Sequence, residues 1–510
     1  MQHYELLWDM IMTSKIKKNS NFEPEKNSSD KKFRIEFDSL GQVDVPGDRL
    51  WGAQTQRALK HFPENIDYMP QALFNSYGYV KKAAALVNRD LGKLSDDKAC
   101  LIAEVCDEII QGKLDKEFPL SVWQMGAGTQ ANMNINEVIV NRARQIVNAK
   151  KGHNVIIHPN DDVNMSQSSN DTFPTAAHIA LVYELVNNLI PAASDLTQAI
   201  AVKAFEWAHV VKVGRTQLQD AVPLTVGQEW SGYVVQLGNA VEQIKRSLSG
   251  LYELAIGGTA IGTGINAPKD FAEQVANKIA SLTNKPFVTA PNKFAAIGGA
   301  DAMLQTSAAL RSLAVVLLKI ANDIRLLGSG PRSGFNEFNL PINEPGSSIM
   351  PGKVNPTQPD AMVMICMQVI GYDLSLAFAA SQGHFELNVA QPMIINNVFK
   401  SASLLAQASL KFKEYCIVGI SLNLSQITKH VNDSLILVTS LSEYIGYEKA
   451  AQIVYKALTE NINLRDAAIS SGYIISEKFD EIVIPSKMIG NPIKDLNFIE
   501  QYACKGQSNT

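Results

Sequence analysis

The sequence predicts an all-helical fold with a long antiparallel bundle at its centre, on two main observations. The segment Asp301 to Leu327 contains neither proline nor glycine, and no proline interrupts the stretch between Pro223 and Pro268. Within the first segment, apolar residues recur at alternating spacings of three and four: Leu310, Leu313, Leu317, Ile320, Ile324 and Leu327. Because this spacing lines one face of a helix, it is typical of the seam of a helical bundle.

Further long helices are expected over 172–213, 224–256, 360–380 and 393–418. These lengths exceed the usual ~11–12 residues, and a long helix needs a long partner to bury its face. Apolar residues also flank the seam at Val315, Val316 and Leu318, which indicates that bundles from several chains pack together. A structural rod would have the same pattern, so the helices alone do not indicate a chemistry.

The chain of 510 residues is long enough for two to four domains of ~100–200 residues each. We expect a polar, disordered tail over 1–32, an N-terminal domain over 33–165, a central bundle over 166–419 and a small C-terminal domain over 420–510. The tail lacks the long apolar stretch of a secretory signal and the Arg-rich character of a transit peptide. A cytoplasmic protein is therefore expected.

Charge and composition disfavour several classes of function. A net charge of −4 gives no electrostatic attraction to nucleic acid or anionic lipid, so neither partner is expected. No continuous apolar run reaches the ~18 residues of a membrane span. The cysteines form no CxxC pair, which predicts neither a zinc site nor a disulfide framework. They are Cys100, Cys106, Cys366, Cys416 and Cys504.

Four segments rich in Gly, Ser, Thr and Asn separate the helices, at 125–136, 158–172, 214–220 and 343–360. They are where we expect the chemistry. None of them contains a G-x-S-x-G motif, so a Ser-His-Asp triad is not indicated. The glycine-rich stretch 257–264 lacks both the G-x-G-x-x-G spacing and a preceding strand, so it does not predict a dinucleotide site.

The segment GSSIMPGKVNP, at 346–356, first suggests a nucleotide P-loop. A P-loop has four residues between its glycines and Ser or Thr after the lysine. Five residues intervene here and Val354 follows Lys353, which disfavours a nucleotide. The segment can instead surround a small anion with Ser347, Ser348, the Lys353 charge and the Asn355 amide. An ordinary surface turn remains the alternative.

The segment HPNDDVNMSQSSNDT, at 158–172, combines a histidine with carboxylates and hydroxyls. No second histidine lies at ligand spacing, so a metal is disfavoured. Ser169 to Thr172 is a good helix N-cap, and a helix N-terminus also attracts anions through its free N–H groups. Thr129, Thr216 and Gln217 in the other segments are likewise suited to a small carboxylate, although each alone is more often a cap or turn residue.

Taken together and in this order, the segments resemble the class II fumarases of the fumarase–aspartase superfamily. GSSIMPGKVNP is the superfamily signature, and the resemblance runs from about residue 34 to 489. The segments similar to fumarase are WGAQTQRAL at 51–59, HPNDDVN at 158–164, SQSSND at 166–171 and FVTAPNKF at 287–294. The resemblance implies three helical domains, a tetrameric twenty-helix core and active sites shared by three chains. We expect no cofactor and no metal.

The resemblance also implies roles for individual residues. Ser347 matches the serine that removes the proton beside a carboxylate, while Lys353, Asn355 and backbone donors near Ser348 and Val354 would stabilise the resulting charge. Residues that match groups binding the carboxylates and the departing water are Gly128, Thr129, Ser168, Ser169, Asn170 and Thr216. Residues that match an accessory dicarboxylate site are His158, Pro159, Asn160 and Asp161.

Four positions depart from the family pattern. Gln217 stands where the family has its water-activating histidine, and Asp360 where it has the paired glutamate. Ala127 replaces a substrate-binding serine and Val155 an accessory-site arginine. Because glutamine exchanges no proton near neutral pH, the histidine–carboxylate pair is absent.

The resulting hypothesis is reversible hydration of fumarate to L-malate by a homotetramer. Two alternatives stay open at this point. Gln217 and Ala127 also occur in some aspartases, which would make the chain an aspartate ammonia-lyase. The departures are equally compatible with a weakly active paralogue that binds dicarboxylates.

Overall fold

The computed structural model describes residues 33–64, 66–149 and 155–503, and these residues form nineteen α-helices and five two-stranded sheets. The all-helical fold class is therefore confirmed. The predicted disordered tail over 1–32 lies outside the described residues, as does Cys504.

The first part of the chain holds one hairpin and four helices. The strands are Phe33–Asp38 (β1) and Gly41–Pro46 (β2), and the helices are Ala53–His61 (α1), Gln71–Asp90 (α2), Asp96–Ile110 (α3) and Thr129–Ala149 (α4). After residues 150–154, which are not described, the chain forms a π-helical turn, Pro159–Val163.

The long helices follow. The helices of this part are Ser169–Glu184 (α5), Ile190–Glu206 (α6), Val226–Leu251 (α7), Phe271–Thr283 (α8), Lys293–Gly298 (α9), Asp301–Leu327 (α10), Thr357–Ala380 (α11) and Gln391–Phe412 (α12). Its strands are Val211–Thr216 (β3), Gln219–Thr225 (β4), Glu253–Leu254 (β5), Val288–Thr289 (β6), Phe338–Asn339 (β7), Gly383–His384 (β8) and Leu387–Asn388 (β9).

The last part is made of shorter elements. They are Ser421–Leu422 (β10), Leu424–Asp433 (α13), Ser442–Ile445 (α14), Tyr447–Glu460 (α15), Leu464–Ser470 (α16), Ser476–Ile482 (α17), Pro492–Asn497 (α18) and Glu500–Ala503 (α19). Strand β10 pairs with β7, which joins this part to the segment that follows α10. The described residues contain a second, smaller apolar cluster here, around Leu441 and Ile453.

Helix α10 has the predicted bounds, and its apolar seam is buried. Helix α7 begins at a capping box in which Thr225 and Gln228 satisfy each other's backbone N–H groups at 2.8 and 3.0 Å. Such a box fixes where a helix begins because it supplies acceptors for N–H groups that lack an intrahelical partner. The long helices are thus specified locally as well as by their packing.

Two of the predicted helices end earlier than expected. Instead of one helix over 172–213, helices α5 and α6 are joined by a π-helical turn, and α6 ends at Glu206. The following residues form β3, in which Val211 and Val213 have the branched side chains that favour a strand. The predicted helix over 224–256 ends at Leu251, and β5 begins two residues later, at Glu253.

One face of α11 is apolar and exposed in the single chain. Met364, Met367, Leu374 and Phe378 are 59–66% exposed on it. By length and composition alone, α10 and α11 could each cross a membrane, although half of the most apolar window of α10 is buried inside the protein. Contiguous exposed apolar faces of this kind are typical of surfaces that interact with another protein or with a membrane.

Candidate active site

The first group of polar residues lies where two helices begin. Helix α4 begins at Thr129 and α5 at Ser169, and their side-chain oxygens are 3.0 Å apart. Together with Ser168 and Asn160 they line a cleft of about 500 Å³. Free N–H groups at helix N-termini favour anions, so this cleft is suited to a carboxylate.

Local capping explains the geometry of this cleft. Ser168 caps α5: its hydroxyl accepts from the Asn170 N–H at 3.2 Å, and its own N–H donates to Asp171 at 2.9 Å. Gly128 has a positive φ of 70°, and a Cβ there would lie 1.9 Å from the Phe173 ring. Only glycine therefore fits before α4. The neighbouring Ala127 is buried.

Asp171 connects the cleft to the glycine-rich stretch. Its buried carboxylate accepts from the N–H groups of Gly257 at 2.9 Å and Thr259 at 2.8 Å. Burial raises the pKa of Asp171 to about 6 despite these donors. Asn170 donates to the Ala260 carbonyl at 2.7 Å, so its side chain is also fixed against this stretch.

A buried lysine lies beneath the same cleft. Lys81 donates to the amide oxygens of Asn132, Asn164 and Gln167 at 2.8, 3.1 and 3.0 Å. Burial lowers the pKa of Lys81 to about 7. Sequence reasoning missed both Lys81 and Asp171, because an isolated charged residue in a helix or cap is usually a surface residue.

The proposed accessory residues do come together. The His158 ring accepts from the backbone N–H groups of Asn160 and Asp161 at 3.3 and 3.1 Å, and Asp161 Oδ2 is 3.1 Å from the ring. Pro159 begins the π-helical turn that brings these residues together. In the part of the chain that the structure describes, no group of three His, Cys, Asp or Glu residues could hold a metal ion.

Thr216 and Gln217 lie elsewhere, at the tip of the β3–β4 hairpin. Thr216 pairs with Gln219, which leaves a two-residue turn of Gln217 and Leu218 with φ values of 53° and 64°. Two left-handed residues without a glycine store strain, which is typical of functional sites. Gln217 is exposed and lines a second cavity, of about 480 Å³.

The signature loop forms a third, exposed group. The Ser347 hydroxyl accepts from the N–H groups of Ile349 and Met350 at 3.3 and 3.2 Å, while Lys353 donates to the Asn355 oxygen at 2.8 Å. A Cβ on Gly346 would lie 1.4 Å from the Lys353 carbonyl oxygen, so the loop closes on itself only with glycine. Ser348 and Val354 are exposed on it.

Asp360 lies in the first turn of α11, and its carboxylate pairs with Arg325 at 3.0 Å. No hydrogen bond or ion pair between described residues joins Asp360 to Gln217. Within the described part of a single chain, no hydrogen bond or ion pair joins any two of the three groups of predicted site residues: the cleft, the hairpin tip and the signature loop.

The class of protein follows from the family comparison: residues 41–371 match the family model described as "Lyase". Residues 437–490 match the one described as "Fumarase C C-terminus". The chain is 62% identical over 468 residues to a class II fumarate hydratase of Methanosarcina acetivorans, covering 92% of this chain and 97% of the relative. The chain belongs to the class II fumarate hydratase family.

Other relatives and solved structures agree with this assignment. A class II fumarate hydratase of Bacillus cereus is 53% identical, with 90% of this chain and 99% of the relative covered. The structure of a class II fumarase from Schistosoma mansoni has a TM-score of 0.86 at 42% identity, covering 90% of this chain and 99% of that one. A fumarate lyase:delta crystallin from Brucella melitensis has a TM-score of 0.85 at 41% identity, covering 90% and 100%.

The Asp171 contacts generate a stability prediction. In Asp171→Asn, an amide N–H₂ faces backbone donors, which leaves at least one buried N–H without an acceptor and costs ~1–3 kcal/mol. We expect the free energy of unfolding to fall by this amount in urea titrations at one protein concentration. The matched control is Asp480→Asn, which removes an exposed carboxylate paired with Arg465. An equal effect of the two changes would contradict the prediction.

Proposed function

We propose that this chain catalyses the reversible hydration of fumarate to L-malate. The observation that carries the proposal is the 62% identity to a class II fumarate hydratase over nearly the whole of both chains. The signature loop, with Ser347, Lys353 and Asn355 in place, supports it. Incubating the purified protein with fumarate, with and without ammonium, and identifying the product tests the reaction.

We propose Ser347 as the base that removes the proton beside a carboxylate of malate. Its oxygen already accepts from two backbone N–H groups, and such donors stabilise negative charge on it. Removing the proton from the carbon beside the carboxylate places a second negative charge on the two oxygens of that carboxylate. Lys353 and Asn355 would stabilise this charge as preorganised donors, each typically worth ~3–4 kcal/mol.

In this proposal the other two groups bind the rest of the substrate. Thr129, Ser168, Ser169 and Asn170 hold the carboxylates at the N-termini of α4 and α5. Thr216 and Gln217 reach the departing water from the hairpin tip, where Gln217 orients water by a hydrogen bond and transfers no proton. His158, Asn160 and Asp161 form the accessory dicarboxylate site.

The assembly we propose is a soluble, cytoplasmic homotetramer. Three groups that no hydrogen bond or ion pair joins within the described chain can form one site when they come from different chains. The apolar face of α11 supplies the surface for such an assembly, because burying it in a homotetramer removes it from water. The domain boundaries near residues 165 and 419 stay a proposal that rests on the sequence pattern.

Aspartate ammonia-lyase remains the second candidate, favoured by one observation. Gln217 occupies the position of the family histidine, and Asp360 pairs with Arg325. Residue 217 therefore supplies no imidazole to activate water. The two reactions differ only in the nucleophile added to fumarate, so both must be assayed.

Removing the Ser347 hydroxyl should abolish most of the activity. Loss of a general base typically lowers the rate ~10²–10⁴-fold, and we expect this fall in kcat for Ser347→Ala with fumarate or malate. Ser470→Ala, which removes an exposed hydroxyl in the C-terminal part, is the control and should retain full activity. Wild-type turnover in Ser347→Ala would place the base elsewhere.

Restoring the family pair should accelerate hydration. Gln217→His with Asp360→Glu reintroduces an imidazole and a carboxylate able to orient it, so malate formation should rise by up to ~10²-fold. Gln217→His alone should help less, because Asp360 is one methylene shorter and already bound by Arg325. Water and ammonia addition are measured on all four variants of the cycle. A rise in neither, with fumarate still bound, would favour a non-enzymatic paralogue.

The native mass should be roughly four times the 55.7 kDa of one chain. Met364→Lys with Met367→Lys places two charges on the exposed face of α11, so we expect smaller species in light scattering and loss of activity. Leu458→Lys is the control, since this residue of α15 is 66% exposed and belongs to another surface. An active wild-type monomer would contradict the assembly.

A further inference from the structure

Glu337 is a fully buried carboxylate that the mechanism does not use. It lies immediately before β7, between α10 and the signature loop, and its side chain has no exposure to solvent. Three basic side chains surround it: Arg215 at 2.7 Å, His430 Nδ1 at 3.0 Å and Lys212 at 3.1 Å. A buried charge persists only where it is paired in this way.

The charges around Glu337 form a connected cluster. Lys212 is itself buried and makes a second ion pair, with Glu229 in the first turn of α7, at 2.7 Å. Burial acts to raise the pKa of Glu337, but Lys212 and Arg215 outweigh it and hold that pKa below its ordinary value. The Glu337 carboxylate is therefore negative at neutral pH, and together with Glu229 it balances the hairpin's two cations.

Both of these cations belong to the hairpin that carries Thr216 and Gln217. Lys212 and Arg215 are residues of β3, and Arg215 is directly followed by Thr216. The Arg215 guanidinium also lies over the Phe335 ring, 4.6 Å from its centroid. An isolated two-stranded hairpin is marginally stable, so the orientation of its tip depends on such contacts.

Glu337 is in turn fixed from both sides by the backbone. Its N–H donates to the Leu327 carbonyl at the end of α10, and its own carbonyl accepts from Asn423, which caps α13. His430, on α13, completes the set from the C-terminal part. The carboxylate is thus a rigid point that joins α10, α13 and the hairpin.

We propose that Glu337 is a positioning residue for the hydration reaction: through Lys212 and Arg215 it sets the orientation of the hairpin tip that presents Thr216 and Gln217. This inference rests on the proposed function, because it assumes that the hairpin tip contacts the substrate or the water. Without the carboxylate charge, two neighbouring cations would repel each other. Both line the cavity of about 480 Å³, which gives them room to move away.

The central variant is Glu337→Gln, which keeps the shape of the side chain and removes its charge. A shift of about 1 Å in a catalytic group can cost ~10²-fold in rate, so we expect kcat/KM to fall ~10–100-fold while the native mass is retained. The matched control is Asp373→Asn. Asp373 is also a buried carboxylate, held by Ser307 at 2.7 Å and Arg311 at 2.6 Å between α10 and α11. It should lower the melting temperature comparably but leave kcat/KM near wild type.

A double-mutant cycle with Gln217→Ala separates positioning from a general structural role. If Glu337 acts through the hairpin tip, Glu337→Gln should lower kcat/KM by a smaller factor in the Gln217→Ala background than in the wild type. The same factor in both backgrounds, or no effect in either, would overturn the proposal. If Gln217→Ala alone leaves both water and ammonia addition unchanged, the role assigned to Gln217 in the proposed function is wrong instead.

Arg215→Lys keeps the experiment decisive should Glu337→Gln fail to fold. It retains the charge and loses the planar geometry of the guanidinium, so we expect a smaller fall in kcat/KM with the same dependence on Gln217. Full activity in Arg215→Lys, in the wild-type and in the Gln217→Ala background alike, would show that the hairpin tip does not depend on this cluster.

Discussion

The central helices carry more apolar surface than one chain can bury, and the exposed face of α11 is the clearest instance. Apolar surface contributes roughly 25 cal/mol for each Å² removed from water, so covering this face is a strong driving force for association. The same helices begin or end next to the polar segments: α7 follows the hairpin, and the signature loop lies between α10 and α11. In the proposed assembly, the contacts that bury these faces also bring together the three groups of site residues. Stability and catalysis therefore depend on the same surfaces.

The candidate site consists mainly of neutral dipoles. Hydroxyls, amides and helix N-termini surround the cleft, while Lys353 supplies a positive charge from the loop. In the proposed reaction such groups bind a dicarboxylate, which suits a reaction whose difficult step is the accumulation of negative charge. Buried charges lie behind this layer, as Lys81 does beneath the cleft and Glu337 behind the hairpin. Lys81 fixes the orientation of the side-chain amides to which it donates. Glu337, in our proposal, fixes the orientation of the hairpin tip.

The sequence predicted long helices well and ionic contacts poorly, for physical reasons. Helix α10 has its predicted bounds because no glycine or proline interrupts an apolar seam. The predicted helix over 172–213 wrongly includes the first three residues of β3, because so short an apolar stretch does not distinguish a strand from the end of a helix. The pairing of β3 with β4 decides the outcome. Glu337 carries no local signal, since its three partners come from distant parts of the chain. The roles of the individual site residues stay predictions that rest on the family resemblance.

At Gln217, a strained backbone turn lies next to the buried ion pairs of the hairpin. The two-residue turn it forms with Leu218 has no glycine, so both residues occupy a backbone region that costs roughly 1–2 kcal/mol each. A strained turn persists only where its surroundings hold it, and the ion pairs of Lys212 and Arg215 lie within five residues of it along β3. The side chain at the tip is therefore presented in a fixed direction whatever its chemistry. If the buried cluster holds the hairpin in this way, glutamine can occupy a position where the family resemblance implies a histidine. The proposed arrangement keeps the direction of the side chain, and the substitution changes whether the group at the tip can transfer a proton.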